Sequence, residues 1–133
     1  MKMNEQKEVS IVKNVLNKCK YSMQGLKYCF KNESSFLIVA IFACLIIILG
    51  ICFDIEFLEW VISFGSLALI SIIELLNTAI EATVDMVTQD YNEYAKIAKD
   101  CGSAATGIMS VIATIVNMII FMPYIIEFIL KFF

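Results

Sequence analysis

Four residues with the means to do chemistry line up in one stretch of the chain. Glu74, Asn77, Glu81 and Asp85 stand 3, 4 and 4 residues apart. On a helix turning about 100° per residue, they share an arc of roughly 80°. The opposite face carries Leu75, Leu76, Ala79, Ile80, Ala82 and Val84. Residues 60–73 just before hold no charge at all. An acidic line continuing such a run enters an apolar environment, where ionisable side chains are costly and face a functional interior. Two chemistries suit it. A carboxylate cluster with no histidine or thiolate spacing binds a hard divalent cation such as Mg²⁺, and it also moves protons. The plain alternative is the solvated face of an amphipathic helix, which the apolar run disfavours.

The elements that must hold this line are membrane elements. The chain has 133 residues, is 60% hydrophobic and contains one proline and five glycines. That apolar content exceeds the roughly 45–50% of soluble domains. Length and composition predict one domain over residues 1–133 with little flexible linker. The five cysteines form no CxxC pair and there is no histidine, so neither a structural disulfide nor a zinc site is expected. The lysines spread over residues 1–35 exclude a cleaved signal peptide as the reading of this segment.

Residues 9–32 place Val12, Val15, Leu16, Cys19, Met23, Leu26 and Phe30 at helical spacing, with lysines between them. That pattern predicts an amphipathic helix lying on a membrane surface, after a polar lead over residues 1–8. Residues 36–53 are 18 uncharged residues, enough for a first span. Residues 57–87 form the second, and its later half carries the acidic line. Residues 88–99 read as a polar connection, and 101–126 as the third span.

Lysine placement orients the chain. Seven of ten lysines precede the first span, the first loop has none, and the second loop has Lys96 and Lys99. The N-terminus and second loop are therefore expected on the cytoplasmic side. Glu74 to Asp85 covers about 16 Å of helix, starting inside the bilayer and ending near the cytoplasmic headgroups. Glu33, Lys99, Asp100 and Tyr21 are expected at the same level. Ser103 and Gly107 open the third span four residues apart, a spacing that lets helices approach closely.

No glycine-rich phosphate loop and no nucleophile elbow is present. Carboxylates beside a lysine support phosphoryl transfer, which needs charge neutralisation, positioning and a base. Cation or proton movement fits the acids about as well.

The run Glu74-Leu-Leu-Asn-Thr-Ala-Ile-Glu-Ala-Thr-Val-Asp85, with Tyr94-Ala-Lys-Ile-Ala-Lys-Asp-Cys-Gly-Ser-Ala-Ala105 after eight residues, decides between them. It resembles the signature of the prokaryotic diacylglycerol kinase family. Tyr21-Ser22, Gly25-Leu26 and Asn32-Glu33 match that family's N-terminal pattern.

The resemblance implies a small all-α integral-membrane lipid kinase: a surface helix and three spans, assembled as a homotrimer in the bacterial cytoplasmic membrane. It implies MgATP and a membrane lipid as substrates, and no nucleic-acid partner. Glu74 would be the catalytic base on the lipid hydroxyl. Glu33 and Glu81 would hold Mg²⁺ on the ATP phosphates. Lys99 would meet phosphate oxygens, with Asp100 beside it. Tyr21, Asp90, Tyr91 and Asn92 would surround the nucleotide. Ser103 would lie along the lipid, and Asn77 and Asp85 would support the site. The expected acceptor is diacylglycerol, with undecaprenol as the alternative, and a carboxylate-based ion-carrying subunit is the remote non-enzymatic option. The chain departs from the family pattern in two places. Residues 34–39 lack an Arg or acid after Glu33, and Lys13 is the base nearest Asn14.

Overall fold

A computed structural model describes the backbone of residues 2–132 and the side chains of residues 13–131. Four helices follow one another: α1 (Lys2–Asn32), α2 (Ser34–Phe53), α3 (Phe57–Val87) and α4 (Glu93–Phe132). No strand occurs among the described residues. Ser34–Phe53, Phe57–Val87 and Glu93–Lys131 are long and apolar enough to cross a membrane. At 1.5 Å per residue, α2 alone reaches about 30 Å, the thickness of a hydrocarbon core.

The helix ends have local causes. Glu33 adopts extended backbone (φ −107°, ψ 115°) and separates α1 from α2 by one residue. Asp54 takes the left-handed conformation (φ 50°, ψ 51°) and ends α2. The backbone N–H of Asp54 and that of Ile55 both donate to the Gly50 carbonyl, the device by which helices close on a left-handed residue. Trp60 lies across Gly50, where a side chain would have stood. At the start of α3, Glu59 Oε2 accepts the Glu56 backbone N–H at 2.8 Å. The same oxygen accepts the Tyr124 hydroxyl at 2.6 Å, tying the start of α3 to the far end of α4.

α3 packs most extensively on α4. Ile46, Ile55, Leu67, Ile70, Ala113, Ile120 and Phe121 form the buried cluster. A seam of small polar residues runs beside it: Ser63, Ser66, Thr78 and Thr106 are all buried. Small side chains allow close helix approach where lipid removes the hydrophobic drive between helices. Three of the hydroxyls are satisfied locally: Ser66 donates to the Ser63 carbonyl at 2.7 Å, Thr78 to the Glu74 carbonyl at 3.0 Å and Thr106 to the Ser103 carbonyl at 2.8 Å, whereas Ser63 Oγ is buried with no partner. Asn117 Nδ2 crosses from α4 to Ser66 Oγ at 3.0 Å. All five cysteines are free.

Two elements differ from expectation. The segment 88–99 is not a loop: α4 begins at Glu93, and only residues 88–92 connect it to α3. Asn92 Oδ1 accepts the Tyr94 and Ala95 N–H groups at 2.9 and 3.2 Å, which caps the helix. The Lys96–Asp100 pair at 2.6 Å supports the same turn. Polar composition alone concealed this helix. The first helix also starts earlier than residue 9, since its backbone is helical from Lys2. Val12, placed on its apolar face from the sequence, lies outside the described side chains. Val15, Leu16, Met23 and Phe30 of that face are exposed.

Candidate functional site

The acids meet where α1, α2 and α3 converge. Glu74 is buried in α3, only 9% exposed. Its carboxyl is reached by the Ser35 side chain from the first turn of α2, and the charges of Glu33 and Glu81 act on it. The chain folds this way because Glu33 is the single extended residue between two helices. That break sets Glu33 between α1 and α2, close enough for its charge to act on Glu74, and puts Ser35 in the first turn of the next helix. One turn below Glu74, Asn77 Nδ2 donates to Glu81 Oε1 at 3.1 Å. Asn77 Oδ1 is buried with no hydrogen-bond partner.

A second group lies at the C-terminal end of α3. Lys99 Nζ pairs with Asp85 Oδ1 at 2.6 Å, bridging α3 and α4. Asp100 pairs with Lys96 one turn earlier, so it is held by its own helix. Both pairs are open to solvent at one side, Lys99 being 38% exposed.

The structure brings some expected residues together and leaves others apart. Glu33, Glu74, Asn77 and Glu81 form one constellation. Lys99 and Asp85 form another. Tyr21 and Tyr91 are exposed. Asp90 sits in the short connection, its backbone N–H on Thr88 Oγ1 at 3.2 Å. Asn92 caps α4. Ser103 is exposed on α4, where its carbonyl accepts the Thr106 hydroxyl at 2.8 Å.

Two residues at the site escaped sequence reasoning. Ser35 looked like an apolar span's edge, and the one available signal was its place two residues after Glu33. Gly102 packs directly against the Asn77 side chain. The sequence reading of close helix approach in this segment fell on Ser103 and Gly107, not on Gly102.

Residues 20–121 match the family described as Prokaryotic diacylglycerol kinase. The chain belongs to the prokaryotic diacylglycerol kinase family. Among similar proteins is a Diacylglycerol kinase from Haemophilus influenzae, 38% identical over 103 residues, covering 77% of this chain and 87% of that protein. A Diacylglycerol kinase from Escherichia coli is 36% identical over 95 residues, covering 71% of this chain and 78% of the other. An Undecaprenol kinase from Bacillus subtilis is 36% identical over 100 residues, covering 75% and 81%. As a prokaryotic diacylglycerol kinase family member, the chain is a lipid kinase and a membrane protein. Kinase membership brings with it ATP and a divalent cation.

The donor chemistry fits that cation. Glu33 and Glu81 offer hard oxygen ligands, and neither side chain meets a lysine among the described ion pairs. No group of three or more acids or thiols has metal-holding geometry among the described residues. A site of two carboxylates completed by substrate phosphates is the arrangement Mg²⁺ favours over a closed protein cage.

Proposed function

We propose that this protein transfers the γ-phosphoryl group of MgATP to the hydroxyl of diacylglycerol, giving phosphatidic acid. The observation that carries the reading is the buried Glu74 carboxyl, which the Ser35 side chain meets and on which the charges of Glu33 and Glu81 act. Glu74 is the base. It is shielded by apolar helix surface, and Ser35 holds its carboxyl in place. The lipid oxygen attacks the γ-phosphorus, the bond to the bridging oxygen breaks, and ADP leaves. The hydroxyl proton passes to Glu74.

Glu33 and Glu81 would hold Mg²⁺, which neutralises phosphate charge when bound. Lys99 offers its ammonium to phosphate oxygens, and Asp85 aims it. A lysine has three donors, so it can keep Asp85 and meet phosphate at once. Asp100, Tyr21, Asp90, Tyr91 and Asn92 flank the nucleotide in this reading. Ser103 faces the lipid, and Asn77 fixes Glu81. Residues 1–133 act as one domain. The family resemblance supports a homotrimer in the bacterial cytoplasmic membrane. Lysine placement supports an N-terminus and active site on the cytoplasmic side, with α1 lying on that surface.

Undecaprenol is the second acceptor to test, because the Bacillus subtilis relative of that name is as similar as the diacylglycerol kinases. Purified protein in mixed micelles would be given MgATP with each lipid, and Glu74→Gln as control. Faster transfer to diacylglycerol is expected. Faster transfer to undecaprenol moves the substrate and keeps the mechanism. Transfer to neither lipid from folded protein overturns the reading.

A further inference from the structure

Asn77 has an amide whose two ends meet opposite demands. Its Nδ2 donates to Glu81 Oε1 at 3.1 Å. A carboxylate accepts and cannot donate, so the NH₂ must face Glu81. That choice sends Oδ1 the other way, toward α4. There it is buried and unpartnered, and what it meets is Gly102. A Cβ built on Gly102 would collide with Asn77 Oδ1 and fall 3.2 Å from Asn77 Cγ. The hydrogen glycine carries in that direction therefore points at the carbonyl oxygen, a weak C–H···O contact in place of a clash. The other glycine of this part of α4 is different: nothing lies within 4 Å of a Cβ on Gly107.

We propose that Gly102 is a positioning residue for Glu81, acting across the α3–α4 contact through the Asn77 amide. The proposal rests on the reading of Glu81 as a ligand of the nucleotide-bound cation. Any side chain at 102 evicts the Asn77 oxygen, turns the amide and removes the hydrogen bond that orients the Glu81 carboxylate. Outer partners of this kind set the direction of a metal-binding carboxylate.

The test uses full-length protein in detergent micelles and two probes: the Mn²⁺ complex of a non-hydrolysable ATP analogue, and the same analogue without metal. Binding is read by calorimetry. Gly102→Ala should weaken the metal complex by roughly 10-fold or more and leave the metal-free analogue within about twofold. A merely structural lesion would weaken both. Gly107→Ala should change neither. Asn77→Ala should reproduce the loss, and Gly102→Ala added to it should cost nothing further, because the atom it collides with is gone. Additive losses, or unchanged binding of the metal complex to Gly102→Ala, overturn the proposal. Should Gly102→Ala alone fail to fold, the comparison within the Asn77→Ala background decides by the same criterion. Glu81→Gln separates the two readings. If it weakens the metal complex while Gly102→Ala does not, only the role of Gly102 fails. If it binds the complex as the wild type does, the metal reading of Glu81 fails and takes this proposal with it.

Discussion

Lys99 Nζ lies 2.6 Å from Asp85 Oδ1, so the last turns of α3 and the first turns of α4 share an ion pair across the five-residue connection 88–92. The pair is partly exposed, 38% at Lys99 and 54% at Asp85. Exposed pairs of this kind contribute about 0–1 kcal/mol to stability. Its consequence is therefore orientation. Asp85→Asn should leave the melting temperature within a few degrees of wild type. In the proposed role Lys99 meets the phosphates before and during transfer, so the substitution should raise the KM for ATP several-fold and change kcat less. Steady-state kinetics with ATP varied at saturating lipid would check this. An unchanged KM would remove Asp85 from the site.

Glu74→Gln keeps the shape of a buried side chain and the acceptor oxygen that Ser35 reaches. It removes the carboxylate charge and, with it, the ability to take the proton that the proposed mechanism assigns to Glu74. Loss of a general base costs typically 10²–10⁴-fold, so kcat should fall by about that range. Nucleotide affinity should stay near wild type, as should the folded state. Single-turnover assays beside a nucleotide-binding measurement would separate the two. A variant with full kcat would show that another group accepts the proton.

Lys96 and Asp100 pair one helical turn apart at 2.6 Å, with both side chains more than half exposed at 60% and 62%. Exposed helix pairs of this spacing add little to stability, because water screens them. Lys96→Ala should therefore alter neither melting nor kinetics measurably. Asp100→Asn makes the contrast. If Asp100 serves the nucleotide, its removal should weaken ATP binding several-fold although it disturbs the same ion pair. Equal behaviour of the two variants would mean that Asp100 is only a helix-surface residue.

The acidic line of α3 was legible because helical periodicity is local: Glu74, Asn77, Glu81 and Asp85 share a face whatever packs on them. The bounds of α2 and α3 were similarly plain, since an uncharged run ends at Asp54 and the helical spacing of apolar residues gives way to polar ones from Thr88. What stayed hidden depends on contacts between helices or on weak local devices. Residues 93–99 read as part of a polar connection because of their composition. Asn92 and the Lys96–Asp100 pair make them helical, and neither shows in a hydropathy pattern. The partner of Lys99 lies fourteen residues away in sequence and needed the α3–α4 geometry. The burial of Asn77 Oδ1 against Gly102 needed it as well. Ser35 was visible only as a residue two places after Glu33, until the packing of α2 on α3 brought it to Glu74.

Gly50 and Gly107 give a paired test of the packing itself. A Cβ on Gly50 would run into the Trp60 ring and stand 3.1 Å from Ile55 Cδ1. Trp60 stacks on Phe64 with centroids 5.5 Å apart, and Ile55 is a buried member of the core cluster, so neither neighbour yields freely. Overpacking of this kind costs about 1–3 kcal/mol. Gly107 sits in mid-helix with open space around it, and exchanging it for alanine removes the glycine penalty of about 0.8–1.0 kcal/mol. Gly50→Ala should thus lower the melting temperature in detergent, while Gly107→Ala should hold or raise it. Because the Gly50 turn joins α2 to α3 at the end of the bundle away from Glu74, the loss should appear in thermal stability before it appears in kcat. A Gly50→Ala protein as stable as wild type would show that Trp60 can move aside, and that the α2–α3 turn does not depend on the glycine.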